Sequence, residues 1–242
     1  MLVGLPTYYA EPVEQCLQWV LQFNFQTTYT MAYAGEGHID WGNGDSERLA
    51  DKTSFTNISK TYQPGTYTVK ITGEIEDIQA GMDTNSKNAV VALEQFNLDS
   101  YIGNRQNSYT LGAFSGCKNM VLMPGVVLGK NIKSLVGAFH GCSSLTTAPT
   151  IPDGVTDLSG TFYGCTGLVN IDGIWPANGF TKTGIDVYRM FYRGSVVAGK
   201  PTGTLPAEIL WEAPEGKFSR ITQAFRNCTS LSNYDDIPAT WK

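Results

Sequence analysis

The residues of this chain best suited to chemistry meet in one stretch, Gly137-Ala138-Phe139-His140-Gly141-Cys142. A thiol two residues from an imidazole has the composition of a nucleophilic pair or of half a zinc site. The five cysteines, Cys16, Cys117, Cys142, Cys165 and Cys228, form no C-x-x-C pair, and His38 and His140 are the only histidines. The short ligand spacing that zinc requires is therefore missing. A second cluster, Asp40, Asn43, Asp45 and Glu47, offers the oxygen ligands that calcium takes. Its spacing differs from that of an EF-hand, and Asn43-Gly44 suits a plain hairpin. His38 has Asp40 nearby, but no nucleophile can be placed beside them. These residues assign no catalytic group, metal or cofactor.

Stepping outward from Cys142 exposes a repeat. Phe114, Phe139, Phe162, Phe191 and Phe225 are spaced by 25, 23, 29 and 34 residues. Three residues after each stands Cys117, Cys142, Cys165, Gly194 and Cys228, and six after each stands Met120, Leu145, Leu168, Val197 and Leu231. Gly112, Gly137 and Gly160 precede the first three phenylalanines by two, and each unit carries a later proline: Pro124, Pro149, Pro176, Pro206 and Pro238. A unit of this size cannot bury its own apolar face, so the pattern predicts a solenoid of stacked units. Short strands are expected in "IKSLVGAF", "VTDLSGTF" and "FSRITQAF", with proline and glycine turning the chain back. The phenylalanines and cysteines form the structural core of the repeat, the cysteines acting as small apolar residues and remaining thiols. No compensation for Gly194 is visible in the fourth unit.

The units resemble BspA-type leucine-rich repeats, whose core reads F-x-G-C-x-x-L. The match runs through Phe114-Ser115-Gly116-Cys117, Phe139-His140-Gly141-Cys142-Ser143-Ser144-Leu145 and Phe162-Tyr163-Gly164-Cys165-Thr166-Gly167-Leu168, and less fully through Phe225-Arg226-Asn227-Cys228-Thr229-Ser230-Leu231. Arg193-Gly194 replaces Gly-Cys in the fourth unit, so units four and five are expected to bulge or bend. The slot after each phenylalanine varies freely, from Ser115 through His140, Tyr163 and Tyr192 to Arg226, which predicts an outward ridge. Tyr188, Trp175 and Trp211 are candidate neighbours of it, although both tryptophans also suit packing over the core. Tyr, Trp and Arg dominate binding hot spots. The candidate binding surface is thus Tyr163, Tyr192, Arg226, His140, Tyr188 and Trp175.

Residues 26–74 alternate apolar and polar side chains between turn signals, Asn43-Gly44 and Pro64-Gly65 among them. They predict a small antiparallel β-sandwich. "PVEQCLQWVLQF" fits an opening strand or a short helix, because Leu17, Val20 and Leu21 also make a helical stripe. Trp41-Gly42-Asn43-Gly44 and Gly65-Thr66-Tyr67-Thr68-Val69 resemble the two motifs of the polycystic-kidney-disease (PKD) type immunoglobulin-like module. Asn43 stands for the usual Asp, and Ser59-Lys60-Thr61-Tyr62 lacks the usual His. The expected organisation is a PKD/Ig-like sandwich over residues 1–74 and a solenoid over 75–242. Residues 75–105 cap the solenoid or form its first strand, and the two parts pack directly, since no Pro/Ser-rich linker separates them.

The fold class is therefore mainly β, a small Ig-like sandwich packed on a repeat solenoid. A net charge of −5 without a basic block gives no electrostatic footprint for nucleic acid. The apolar run from Cys16 to Phe25 is too short and too polar to span a bilayer, so no membrane insertion is expected. No Lys or Arg precedes Arg48, so a secretory signal is not expected if Met1 is the natural start. The two resemblances imply a non-enzymatic display or adhesion protein, found in phage virions and on bacterial surfaces. A phage virion protein of tail or capsid, made in the host cytoplasm and present as a homo-oligomer or in multiple copies on the particle, is favoured. Its expected partners are other virion proteins and a host surface protein or glycan. The alternatives are a fragment of a bacterial cell-surface adhesin, a purely structural joint, and a carbohydrate-active enzyme. The last needs paired carboxylates about 5–10 Å apart, and Asp235-Asp236 are the adjacent acids of the repeats.

Overall fold

A computed structural model of the chain describes residues 14–103, 111–194 and 199–242. Residues 1–13 of the expected sandwich, 104 and 105 of the expected cap and Val197 of the fourth unit lie outside the described residues. The fold is mainly β. Strands β1 (Leu17–Phe23), β2 (Thr27–Asp40), β3 (Ser46–Tyr62), β4 (Gly65–Gln79), β5 (Val90–Phe96) and β6 (Val121–Leu122) form one mixed sheet in the order β3-β2-β4-β1-β5-β6. A short helix α1 (Thr84–Ala89), capped by the Asp83 carboxylate, precedes β5. Among the described residues no helix is long and apolar enough to cross a membrane.

β1 is a strand because its apolar residues recur every second position. Leu17, Trp19, Leu21 and Phe23 are buried, whereas Gln22 between them is exposed. The β2–β3 hairpin turns through residues 41–45, where Trp41 N–H donates to the Asp45 carbonyl at 3.0 Å. Pro64 does not close a hairpin, because β2 lies between β3 and β4 in the sheet. All six strands are hydrogen-bonded into one continuous sheet. β4 is the reason: its first half pairs with β1 and its second half with β2. The sheet then curls over its own apolar face, so that Phe23 of β1 stacks on Tyr62 of β3 with centroids 4.9 Å apart, across two intervening strands. Tyr29 and Tyr67 complete this aromatic centre. The bend brings two backbones into close approach, and a Cβ on Gly73 would lie 2.5 Å from the Gly37 Cα. Position 74/75 falls inside β4, and β5 joins the sheet, antiparallel to β1 and parallel to β6.

Beyond β6 the chain is organised by the phenylalanine column. Successive rings of Phe114, Phe139, Phe162, Phe191 and Phe225 stack with centroids 6.2, 5.5, 5.2 and 5.7 Å apart and nearly parallel planes. Each phenylalanine N–H donates to the carbonyl just before the next ring: Phe114 to Ala138, Phe139 to Thr161, Phe162 to Met190 and Phe191 to Ala224. Burying one such ring contributes roughly 2 kcal/mol, against a net of about 1 kcal/mol for the backbone bond beside it. The rings are the larger stabiliser, and the bonds set their register.

Extended structure in these units is shorter than the sequence predicts. Ser134, Asp157 and Asp186 pair through single bridges, and among the described residues only β7 (Ile185–Asp186) and β8 (Phe218–Arg220) make a two-stranded parallel sheet. The cause is local: Asp157 Oδ1 accepts Ser159 N–H and Asp186 Oδ1 accepts Tyr188 N–H, bending the chain immediately after each bridge.

All five cysteines are buried free thiols. Cys142 Sγ donates to the Phe114 carbonyl at 3.1 Å and Cys165 Sγ to the Phe139 carbonyl at 3.0 Å. In the fourth unit Arg193, 2% exposed, fills the thiol column. Its Nη2 donates to the carbonyls of Cys165 and Leu168, and its charge lies between Cys165 and Cys228. The loss of cysteine at Gly194 is thus repaired by its neighbour.

Candidate functional site

The slot after each phenylalanine is set by the core. Phe139, Phe162, Phe191 and Phe225 point inward, so the following side chain is placed on the opposite side of each turn, one above the other. His140 stacks on Tyr163 at 4.9 Å, and Tyr163 on Tyr192 at 4.8 Å. The Arg226 guanidinium continues the pile, 5.5 Å from the Tyr192 centroid. The three rings are partly exposed and Arg226 is exposed. The pile ends inside the protein: Ser115 is buried, with its Oγ 3.5 Å from His140 Nδ1. Burial chiefly, and then the charge of Lys87, hold the His140 imidazole below its usual pKa of 6.5.

Tyr188 extends this ridge sideways. The Arg220 guanidinium sits 4.3 Å from its ring centroid while its Nη1 pairs with Asp186 at 2.9 Å. Arg189 lies 4.9 Å from the Tyr188 ring and 5.3 Å from that of Tyr192, and its Nε donates to Gln223 Oε1 at 2.8 Å. Such cation–π contacts contribute about 0.5–1 kcal/mol each at exposed sites. Trp175 does not belong to the ridge. It is 7% exposed and packs on Phe191 and Phe225 at 6.1 and 6.3 Å, because the longer insert of its unit folds back over the ring column. Trp211 is partly buried against Trp241.

Arg189, Arg220 and Gln223 were not among the sequence candidates, although a signal for two of them exists. The position two before phenylalanine is left-handed at Gly137 and Gly160, with φ of 59° and 60°. Arg189 and Gln223 occupy the same position with φ of 53° and 60°. A side chain there costs roughly 1–2 kcal/mol. Departure from glycine in that column marks both residues.

The other sequence candidates have local duties. Asp40 Oδ1 accepts Gly42 N–H, Asn43 Oδ1 accepts Asp45 N–H, Asp45 pairs with Lys60 at 2.7 Å, and Glu47 Oε1 accepts the Trp41 indole N–H. Their oxygens serve the hairpin instead of converging. Among the described residues no group of three or more His, Cys, Asp or Glu could hold a metal ion. His38 lines a shallow hollow with Glu14, Asp40, Ser46, Lys70 and Thr72, where Lys70 pairs with Glu14. Asp235 and Asp236 are exposed. Burial pushes the Cys142 thiol far above its usual range, and Cys117, Cys165 and Cys228 to about 12, which disfavours the nucleophilic thiolate.

The ridge offers ring edges, phenol hydroxyls and guanidinium donors, the chemistry of recognition. Comparison with protein-family models, with curated proteins and with solved structures finds no match to this chain.

Proposed function

We propose that the protein is a non-enzymatic attachment or decoration protein of a phage particle, displayed on the tail or capsid in multiple copies. In this reading the repeat units form a BspA-type leucine-rich-repeat solenoid, and the His140–Tyr163–Tyr192–Arg226 ridge contacts a host surface. The ridge carries the proposal, because stacked tyrosines joined to guanidinium groups combine the residue types that dominate binding hot spots. The regular phenylalanine stack and its backbone ladder support the solenoid reading. The PKD-type reading of the N-terminal part rests on its two sequence motifs.

Mass spectrometry and imaging of purified particles test the location, and finding the protein only in unassembled lysate would overturn it. The binding role is tested with the double variant Tyr163→Ser, Tyr192→Ser. Loss of two hot-spot rings is expected to lower attachment of assembled particles to host cells by at least about tenfold. Unchanged attachment together with defective assembly would instead identify a structural joint.

A further inference from the structure

A side chain on the left-handed backbone at positions 189 and 223 is unnecessary for the fold. The same turn is made by Gly137 and Gly160 in the preceding units, and neither replacement side chain is buried. What the two residues add is outside the core: a guanidinium fixed by Gln223 through its Nε and held beside the rings of Tyr188 and Tyr192. Arg226 lies near the Tyr192 ring as well. Arg220, the third cation of this cluster, is neutralised by Asp186, but Arg189 and Arg226 have no carboxylate partner among the described residues. Two uncompensated guanidinium groups thus flank one tyrosine on a protein whose net charge is −5.

We infer that this cluster is an anion subsite for an acidic polysaccharide, with Arg189 and Arg226 taking a carboxylate or phosphate and the ring pile supporting the adjoining sugars. A planar guanidinium presents paired donors to such an anion. With Nε tied to Gln223, the Nη groups of Arg189 are preorganised for that role, which lowers the ordering cost of binding. The 4.8–4.9 Å spacing along His140, Tyr163 and Tyr192 makes the support linear, suited to a polymer instead of a single compact ion. This inference names the ligand class of the ridge and rests on the attachment reading above.

The full chain is tested by biolayer interferometry against immobilised polygalacturonate, poly(glycerol phosphate) and neutral dextran at two salt concentrations. Preference for either acidic polymer over dextran, weakened by salt, is expected; the arm that binds tells carboxylate from phosphate. Arg189→Gly is expected to weaken that binding by at least about tenfold, since a charge-assisted contact is lost. Arg226→Ala should also weaken binding, and Gln223→Gly should weaken it less. Equal binding to dextran, or unchanged binding by Arg189→Gly, overturns the inference. If the acidic polymers do not bind yet particles still require Tyr163 and Tyr192 to attach, the ligand class is wrong and the attachment reading stands.

Discussion

His140 shows how strongly context decides what a residue is for. Its sequence neighbourhood suggests a catalytic pair with Cys142, yet the two side chains belong to different faces of one turn. Cys142 is sealed in the thiol column, donating to Phe114, while His140 lies between Ser115 and Tyr163 with Lys87 nearby. Both burial and Lys87 disfavour the imidazolium, so the folded protein holds this proton less tightly than the unfolded chain. The unfolded chain therefore binds the extra proton between the lowered folded pKa and 6.5, and stability rises with pH across that window. Acidification below about pH 6.5 is expected to cost stability, with less than one proton of extra uptake on unfolding attributable to His140. Denaturant titrations of wild type and His140→Gln at several pH values measure this. Identical slopes for the two proteins would show that the imidazole is not held in its neutral form.

At the scale of the element, the unit pattern was the most legible feature of the sequence. Aligning the phenylalanines identified the ring column and the buried cysteines, because one inward position per turn must be apolar. What could not be read was how each departure is absorbed. Gly194 looked like an unrepaired loss, but the residue before it turns inward. Arg193 has no left-handed φ, unlike Gly116, Gly141 and Gly164, and sends its long side chain into the vacated space. The expected strands failed for a different reason, since the aspartate bonds that bend the chain are invisible to alternation counts. If Arg193 acts mainly by filling volume, Arg193→Ala should cost about 3 kcal/mol through the cavity it leaves. Arg193→Met keeps the volume and removes a buried cation whose Nη1 has no partner among the described residues, so it should cost less than about 1.5 kcal/mol. Chemical denaturation compares the two. Equal losses would assign the role to the guanidinium hydrogen bonds.

The whole molecule was the hardest scale to foresee, since alternation predicts strands but not which strands lie side by side. The two unlike sequence patterns suggest a sandwich packed directly on a solenoid, and one apolar core runs through both halves without interruption. Phe114, the first ring of the column, meets Trp19 of β1 and Phe96 of β5 edge-on at 6.4 and 5.9 Å. Ala80 N–H, just after β4, donates to the Ala113 carbonyl at 2.7 Å. At the far end Trp241 stacks on Phe225 and accepts its N–H, closing the column. A seam this apolar should make unfolding cooperative, because neither half can leave without exposing the other's terminal rings. The thiols report this directly: Cys16 lies in the chain just before β1, and the other four line the column. In denaturant, all five should become reactive toward a thiol reagent at one midpoint, coincident with loss of far-ultraviolet dichroism. Phe114→Ala should shift that common midpoint downward, at a cost of about 3–5 kcal/mol. If Cys16 were released at a different denaturant concentration from the other four, the sheet and the column would be separate folding units. The seam would then be a docking contact instead of a shared core.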